Sequence, residues 1–229
     1  FNKLLLNYGW WANRVDQTGD NVFEGGFLGL DNIGVFDRRF PLPDGSHIAQ
    51  SDGTSWMAQL CLSMLNIAVE LARDEPEYED IADKFLNDFI LLAFATNSPR
   101  MGNMPLWDEE DGFYYDVLRR PDGSSSYLKT RSVAGITPLF AVESFDAETT
   151  MRFPLLRRRY EWFKTNRPQL LQHLQHLAAE PVHDQRHRLF LSEPAAAAVE
   201  ELVLADLRRG RLVLDACAWV AGDRKSTRL

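Results

Sequence analysis

Residues 21–37, NVFEGGFLGLDNIGVFD, crowd glycines, aromatics and acids into a stretch with neither a helical nor a strand period. That combination is the one most able to do chemistry in this chain. Gly25, Gly26 and Gly29 open backbone angles closed to other residues and let a ligand or another segment approach closely. Asp31 and Asp37 stand among Leu28, Leu30, Ile33, Val35 and Phe36. An acid held in such surroundings tends toward a raised pKa, which suits a proton donor working near neutral pH. The same residues also describe a glycine-rich turn whose Asp31 only caps the next segment. Residue chemistry alone slightly favours the turn-capping reading.

Other candidate groups carry less. His173 and His176 are three apart on one helical face, but no Glu or third ligand stands at a metal-site spacing, so they read as a solvated face and no metal is expected. Cys61 and Cys217 form neither a disulfide framework nor a ligand pattern and read as small hydrophobes. The acids at 108–111 read as a solvated turn.

The elements that must position the loop follow from periodicity. Leu4, Leu5, Tyr8, Trp11 and Ala12 mark the last turns of a helix ending near Asn13. Two turn clusters, DQTGD at 16–20 and PLPDGS at 41–46, leave residues 21–50 as one long loop, a length usual for functional loops. A helix is expected from about 53 to 73, capped by Asp52 or Thr54, with Trp56, Leu60, Met64, Ile67, Ala68 and Leu71 on one face. Asp74 to Pro76 breaks it, and a second helix runs from Tyr78 to about 96, making an antiparallel pair. Phe113 to Leu118 alternates, and Pro121-Asp122-Gly123 turns it toward Tyr127-Leu128 as a small hairpin. Residues 132–145, 148–164 and 168–178 read as further helices, with Pro138 tolerable only near a start or a kink. Residues 181–229 drift to Ala, Arg and Leu and end in GDRKSTRL, a tail set aside from the fold.

With 229 residues, 45% hydrophobic and 25% charged, the chain is in the ordinary globular class. A net charge of −8 and a pI near 5.2 argue against a nucleic-acid surface and suit neutral or cationic ligands. No run of 18 apolar residues marks a membrane span and no basic-then-apolar leader opens the chain. The chain opens at Phe1 inside a helical pattern and reads as truncated there, with the cytoplasm as the default compartment. Helical hairpins joined by loops must stack, and the absence of a fixed repeat favours a closed double ring over a solenoid. The expected fold is therefore all-α, an incomplete ring with a small β-hairpin insertion across residues 1–180.

Three segments in order resemble one family. GLDNIGVFD at 29–37, SDGTSWMAQLCLSML at 51–65 and LWDEEDGFYYDVL at 106–118 are similar to segments of the family 63 glycoside hydrolases, which include processing α-glucosidases and mannosylglycerate hydrolases. The resemblance runs over about residues 1–165. It implies an (α/α)6 barrel, hydrolysis with inversion and no cofactor, and it makes Asp31 the general acid. Inversion needs a second carboxylate roughly 6.5–9.5 Å from the first to activate water. The resemblance sets that base in a downstream glutamate outside this chain, so Asp37 is left to tune Asp31 or touch substrate, and this stretch alone is expected to be inactive. Where close relatives of the family continue with Ser-Pro-Arg-Trp, Ile33-Gly34-Val35-Phe36 stands here, which removes polar contacts and leaves the sugar open.

Trp10, Trp11, Phe36, Trp56 and Trp107 are then candidate platforms for a pyranose, with Arg38 a further substrate contact, although core packing explains such aromatics as readily. The expected partner is an oligosaccharide or small glycoside. Two rivals stand beside this: a non-catalytic helical module binding carbohydrate or protein, and another enzyme on the same ring. Among the latter a phosphorylase would need a basic anion site, for which Arg38, Arg39 and Arg131 are the candidates.

Overall fold

The structure, a computed structural model, describes residues 1–16, 19–24, 36–38, 40, 42–97, 103–146, 152–171 and 186–190, with Val142, Ser144, Asp146 and residues 186–190 described by backbone alone. Its centre is a helical pair. Helix α2 (Ser51–Leu71) and helix α3 (Tyr78–Asn97) pack against each other more extensively than any other two elements. Their inward faces follow the 3.6-residue period: Met57, Cys61, Met64, Leu65 and Ala68 from α2, and Ala82, Phe85, Phe89 and Ala93 from α3, are all buried. A short link through Asp74, Glu75 and Pro76 reverses the chain between them, proline being unable to continue the first helix.

Around the pair sit α1 (Asn2–Ala12), α4 (Pro154–Asn166) and the single turn α5 (Pro168–Leu171). Tyr8 is the buried residue of α1; its ring meets Phe85 edge-on at 4.8 Å, and its hydroxyl donates to Asp88 at 2.7 Å. Helix α4 is tied to α3 by two polar contacts, Glu79 accepting the Leu155 N–H at 2.6 Å and Arg159 Nε donating to Asp83 at 2.8 Å. The start of α4 is thus capped by a side chain from another helix.

At the N-terminal end of α2 lies the sheet structure. Strands β1 (His47–Ala49), β4 (Asp116–Arg119) and β5 (Ser125–Leu128) form an antiparallel sheet in the order β1-β4-β5, with Ile48 opposite Leu118 and Val117 opposite Tyr127. Strands β2 (Trp107–Asp108) and β3 (Phe113–Tyr114) pair with each other, as do β6 (Val142–Asp146) and β7 (Arg186–Phe190). A second, smaller apolar cluster of Val22, Ala49, Ala95, Leu106, Tyr114 and Val117 joins the sheet to the end of α3.

These strands overturn the expected all-α (α/α)6 ring: the molecule mixes helices with antiparallel sheet. The helix expected over 132–145 is replaced by two short 3-10 turns, Val133–Gly135 and Thr137–Phe140, followed by β6. Pro138 in the first turn of the second blocks a longer helix. Residues 186–190, in the helical or tail segment set aside from the fold, supply β7. The two helices of the central pair and the β4–β5 hairpin form where the period and the Pro121-Asp122-Gly123 turn set them. The packing expected of Trp56 differs, since it is 37% exposed and lies beside Phe140 rather than inside the pair.

Candidate functional site

Phe23 and Arg38, on either side of the glycine-rich stretch, are both held at the first turn of α2. Phe23 forms antiparallel bridges to Val15 and to Gln50, its carbonyl accepts the Gln50 N–H at 2.9 Å, and its own N–H donates to Thr54 Oγ1 at 3.0 Å. Thr54 Oγ1 in turn donates to the Gln50 carbonyl at 2.6 Å. On the other side Arg38 is buried and forks onto Asp52, Nη1 to Oδ1 at 2.8 Å and Nη2 to Oδ2 at 2.7 Å, while Nη1 also reaches Asp116 Oδ2 at 2.9 Å. A planar guanidinium fits a carboxylate in this way and a lysine would not.

The two acids come from different elements, Asp52 from the first turn of α2 and Asp116 from the first residue of β4. Asp116 also accepts the Ser51 N–H at 2.9 Å and the Ser51 hydroxyl at 3.1 Å, so the cap of α2 comes from the sheet. Asp52, expected as a local cap, instead receives Arg38 and the Gly53 N–H. Burial pushes the Asp116 carboxyl above its ordinary range even though Arg38 draws it down. Burial works against the Arg38 charge, but its hydrogen bonds to Asp52 and the two nearby carboxylates more than offset this and hold it protonated.

Three further groups flank the loop. Glu24, half-buried immediately before Gly25, has its carboxyl raised by burial, with His47 at 3.5 Å opposing the rise and Asp16 adding to it. Asp16 accepts the N–H groups of Asp20 and Val22 at 3.0 and 3.2 Å, folding residues 16–22 into a tight turn. Arg119 Nη1 closes that turn onto β4 through Asp20 at 2.9 Å. Below them Gln50 is 1% exposed, and among the described residues neither Nε2 nor Oε1 of its carboxamide has a hydrogen-bond partner. A buried amide left unmade costs roughly 1–3 kcal/mol per group.

The expected site residues are placed as follows. Asp31 lies outside the described residues, as do Arg39, Cys217, His173 and His176. Phe36 is half-buried and Asp37 exposed. The guanidinium of Arg38 is committed to two carboxylates. Trp10 is 53% exposed on α1, edge-on to Trp11 at 4.5 Å and under the Arg14 guanidinium at 4.0 Å. Trp107 packs on Tyr114 at 4.8 Å and its carbonyl accepts from the Tyr127 hydroxyl at 2.7 Å. The aromatics thus sit on α1, α2 and β2, in separate ring contacts.

Acids 108–111 lie at the expected turn, with Glu109 and Glu110 exposed, while Asp108 and Asp111 join an ion cluster: Lys129 reaches Asp108 at 2.9 Å and Asp111 at 3.1 Å, and Arg131 reaches Asp111 at 3.4 Å. Among the described residues no group of His, Cys, Asp and Glu is arranged to hold a metal, and no helix is long and apolar enough to cross a membrane. Asp52, Asp116, Glu24 and Gln50 were missed as site residues. A signal was present for Asp116, an acid inside the aromatic strand FYYDVL, and for Glu24, an acid set directly against two glycines.

Among known proteins, the uncharacterized protein YMR196W of Saccharomyces cerevisiae is 46% identical over a match covering 74% of this chain. The chain spans 16% of the length of that relative. No family model matches the chain. No solved structure matches it.

Proposed function

We propose that this chain is part of an inverting glycoside hydrolase acting on α-glucosides or related α-glycosides, with Asp31 as the general acid. One observation carries the reading. The three segments that resemble the glycosidases meet at one buried centre through Arg38, Asp52 and Asp116, each belonging to or adjoining one of them, with Asp116 brought in from 78 residues beyond Arg38. Segments that share a resemblance only by chance have no reason to share an ion pair. The centre ties the Asp37 side of the acid-bearing stretch to the rigid start of α2, as positioning a proton donor within a fraction of an ångström requires.

The phosphorylase alternative loses two of its anion-binding candidates, because Arg38 is committed to two acids and Arg131 to Asp111 and the Tyr115 hydroxyl at 3.2 Å. The base that activates water is supplied from outside these residues, so the activity belongs to a longer protein.

The test is Asp31→Asn in a protein that contains this chain and hydrolyses a glycoside. The substitution is isosteric and leaves the fold intact, and turnover falls by roughly a hundredfold to ten-thousandfold. The loss is largest for natural glycosides and small for aryl or fluoride leaving groups, which hardly need the proton. Equal slowing of both substrate types would reassign Asp31 to positioning, and unchanged turnover would leave it a turn-capping residue.

A further inference from the structure

At the start of α2 the polar side chains are satisfied one after another. Ser51 bonds Asp116, Asp52 holds Arg38, Thr54 bridges Gln50 and Phe23, and Ser55 donates to the Ser51 carbonyl. Gln50 differs. Its backbone N–H and carbonyl are both bonded, yet its carboxamide, 1% exposed, has no partner for either polar atom among the described residues. It stands between the two fixed flanks of the acid-bearing stretch, bridged to Phe23 on one side and two residues from the Arg38 anchor on the other. Buried polar groups are otherwise almost always paired, and those that are not gather at functional sites.

We infer that the Gln50 carboxamide is a ligand-binding group that takes two neighbouring hydroxyls of a neutral sugar, Oε1 accepting from one and Nε2 donating to the other. This rests on the glycoside reading above and deepens it by naming the contact that selects the sugar. A carboxamide offers an acceptor and a donor side by side, as a vicinal diol does in reverse. Charged ligands fit less well. Asp52 and Asp116 exceed Arg38 by one negative charge, which repels phosphate or carboxylate, and a cation would be drawn to the acids rather than to the amide. The uncharged polyol is the class that meets both demands. Pairing both atoms of the amide makes the contact selective, because a sugar lacking one of the two hydroxyls leaves one of them unsatisfied.

The experiment uses a longer protein that contains this chain and two apolar variants of it, Gln50→Met and Gln50→Leu, measured by thermal unfolding and by titration calorimetry with methyl α-glucoside and methyl α-mannoside. The expected result is a Tm within about 2 °C of the wild type or above it, with affinity for the bound glycoside lower by about tenfold or more. If both variants lose several degrees or fail to fold, the amide is satisfied internally, for example by a trapped water, and the inference is overturned. It is also overturned if both variants bind the sugar as the wild type does, and in that case the glycoside reading stands. Heat from neither sugar with the wild-type longer protein overturns the glycoside reading itself and this inference with it.

Discussion

Arg38 shows how one side chain changes meaning between sequence and structure. In the sequence it is a cation beside an acid-rich loop and so a candidate substrate contact; in the fold it is the counter-ion of Asp52 and Asp116. Replacing it by Met would leave two buried carboxylates without their partner, and removal of one member of a buried pair costs about 3–5 kcal/mol. Urea unfolding of Arg38→Met should show that loss, and Arg38→Lys should recover only part of it because the fork onto Asp52 is gone. A loss below about 1 kcal/mol would mean the cluster is wet and weakly coupled.

Gly135 is a second such position. A Cβ there would run into the Phe113 ring and the Tyr114 carbonyl oxygen, and backbone cannot swing aside as a side-chain tip can. Gly135→Ala is therefore expected to destabilise by about 1–3 kcal/mol, as overpacking does, whereas the same change at Gly9, where nothing lies within 4 Å, should not. Cys61 is fully buried, and burial pushes its thiol up to about 12 even though the Tyr8 hydroxyl draws it down. Native protein should leave it unlabelled by thiol reagents at pH 8, and rapid labelling without unfolding would contradict the packing of α1 on α2.

Among the elements, the β4–β5 hairpin repeats a local device. The tetrapeptide Pro-Asp-Gly-Ser occurs at 43–46, leading into β1, and at 121–124, joining β4 to β5. In each the glycine takes a positive φ, +79° at Gly45 and +83° at Gly123, and the aspartate accepts the serine N–H, at 2.9 and 2.8 Å. Because β1 pairs with β4, the two turns lie together, a Cβ at Gly45 meeting Pro121 at 3.5 Å.

The ion cluster at the other end of this region sets a pH dependence. For Asp108, burial opposes ionisation, but the Asp111 N–H and Lys129 more than compensate and lower its pKa; for Asp111, Lys129 and the Tyr115 hydroxyl lower it. Acids lowered on folding contribute stability that is fully present above the ordinary carboxylate value of about 3.9 and is lost as pH falls through the lowered values. Urea midpoints should therefore drop on acidification below about pH 4, and the drop should be smaller in Lys129→Met. An identical acid limb in that variant would place the acid sensitivity elsewhere.

For the molecule as a whole, stability rests on two apolar clusters, the larger around α2 and α3 and the smaller joining the sheet to the end of α3. Phe89, fully buried in the larger, should cost about 3–5 kcal/mol on replacement by Ala. Leu6, 75% exposed and one turn from exposed Trp10, should tolerate Lys within about 0.5 kcal/mol. Light scattering of Leu6→Lys should also show less self-association than the wild type, because Leu6 and Trp10 expose apolar surface on one face of α1.

What could be read from the chain alone was what is written locally. The apolar period at 51–71 and 78–97, the proline break between them and the Pro-Asp-Gly turn at 121–123 each need only a few neighbouring residues. The strands of two to five residues that replace the expected helical ring are too short to show a period of their own. They exist because distant backbone pairs with them, Ile48 with Leu118 and Val142 with Phe190. The same holds for the site. The acid-rich loop announced itself by composition, but its anchoring through Arg38 and Asp116, the capping of α2 from 65 residues downstream and the unpartnered amide of Gln50 were decided by tertiary structure. Hydrogen bonds and ion pairs are satisfied in space, and sequence periodicity carries no record of a partner so far along the chain.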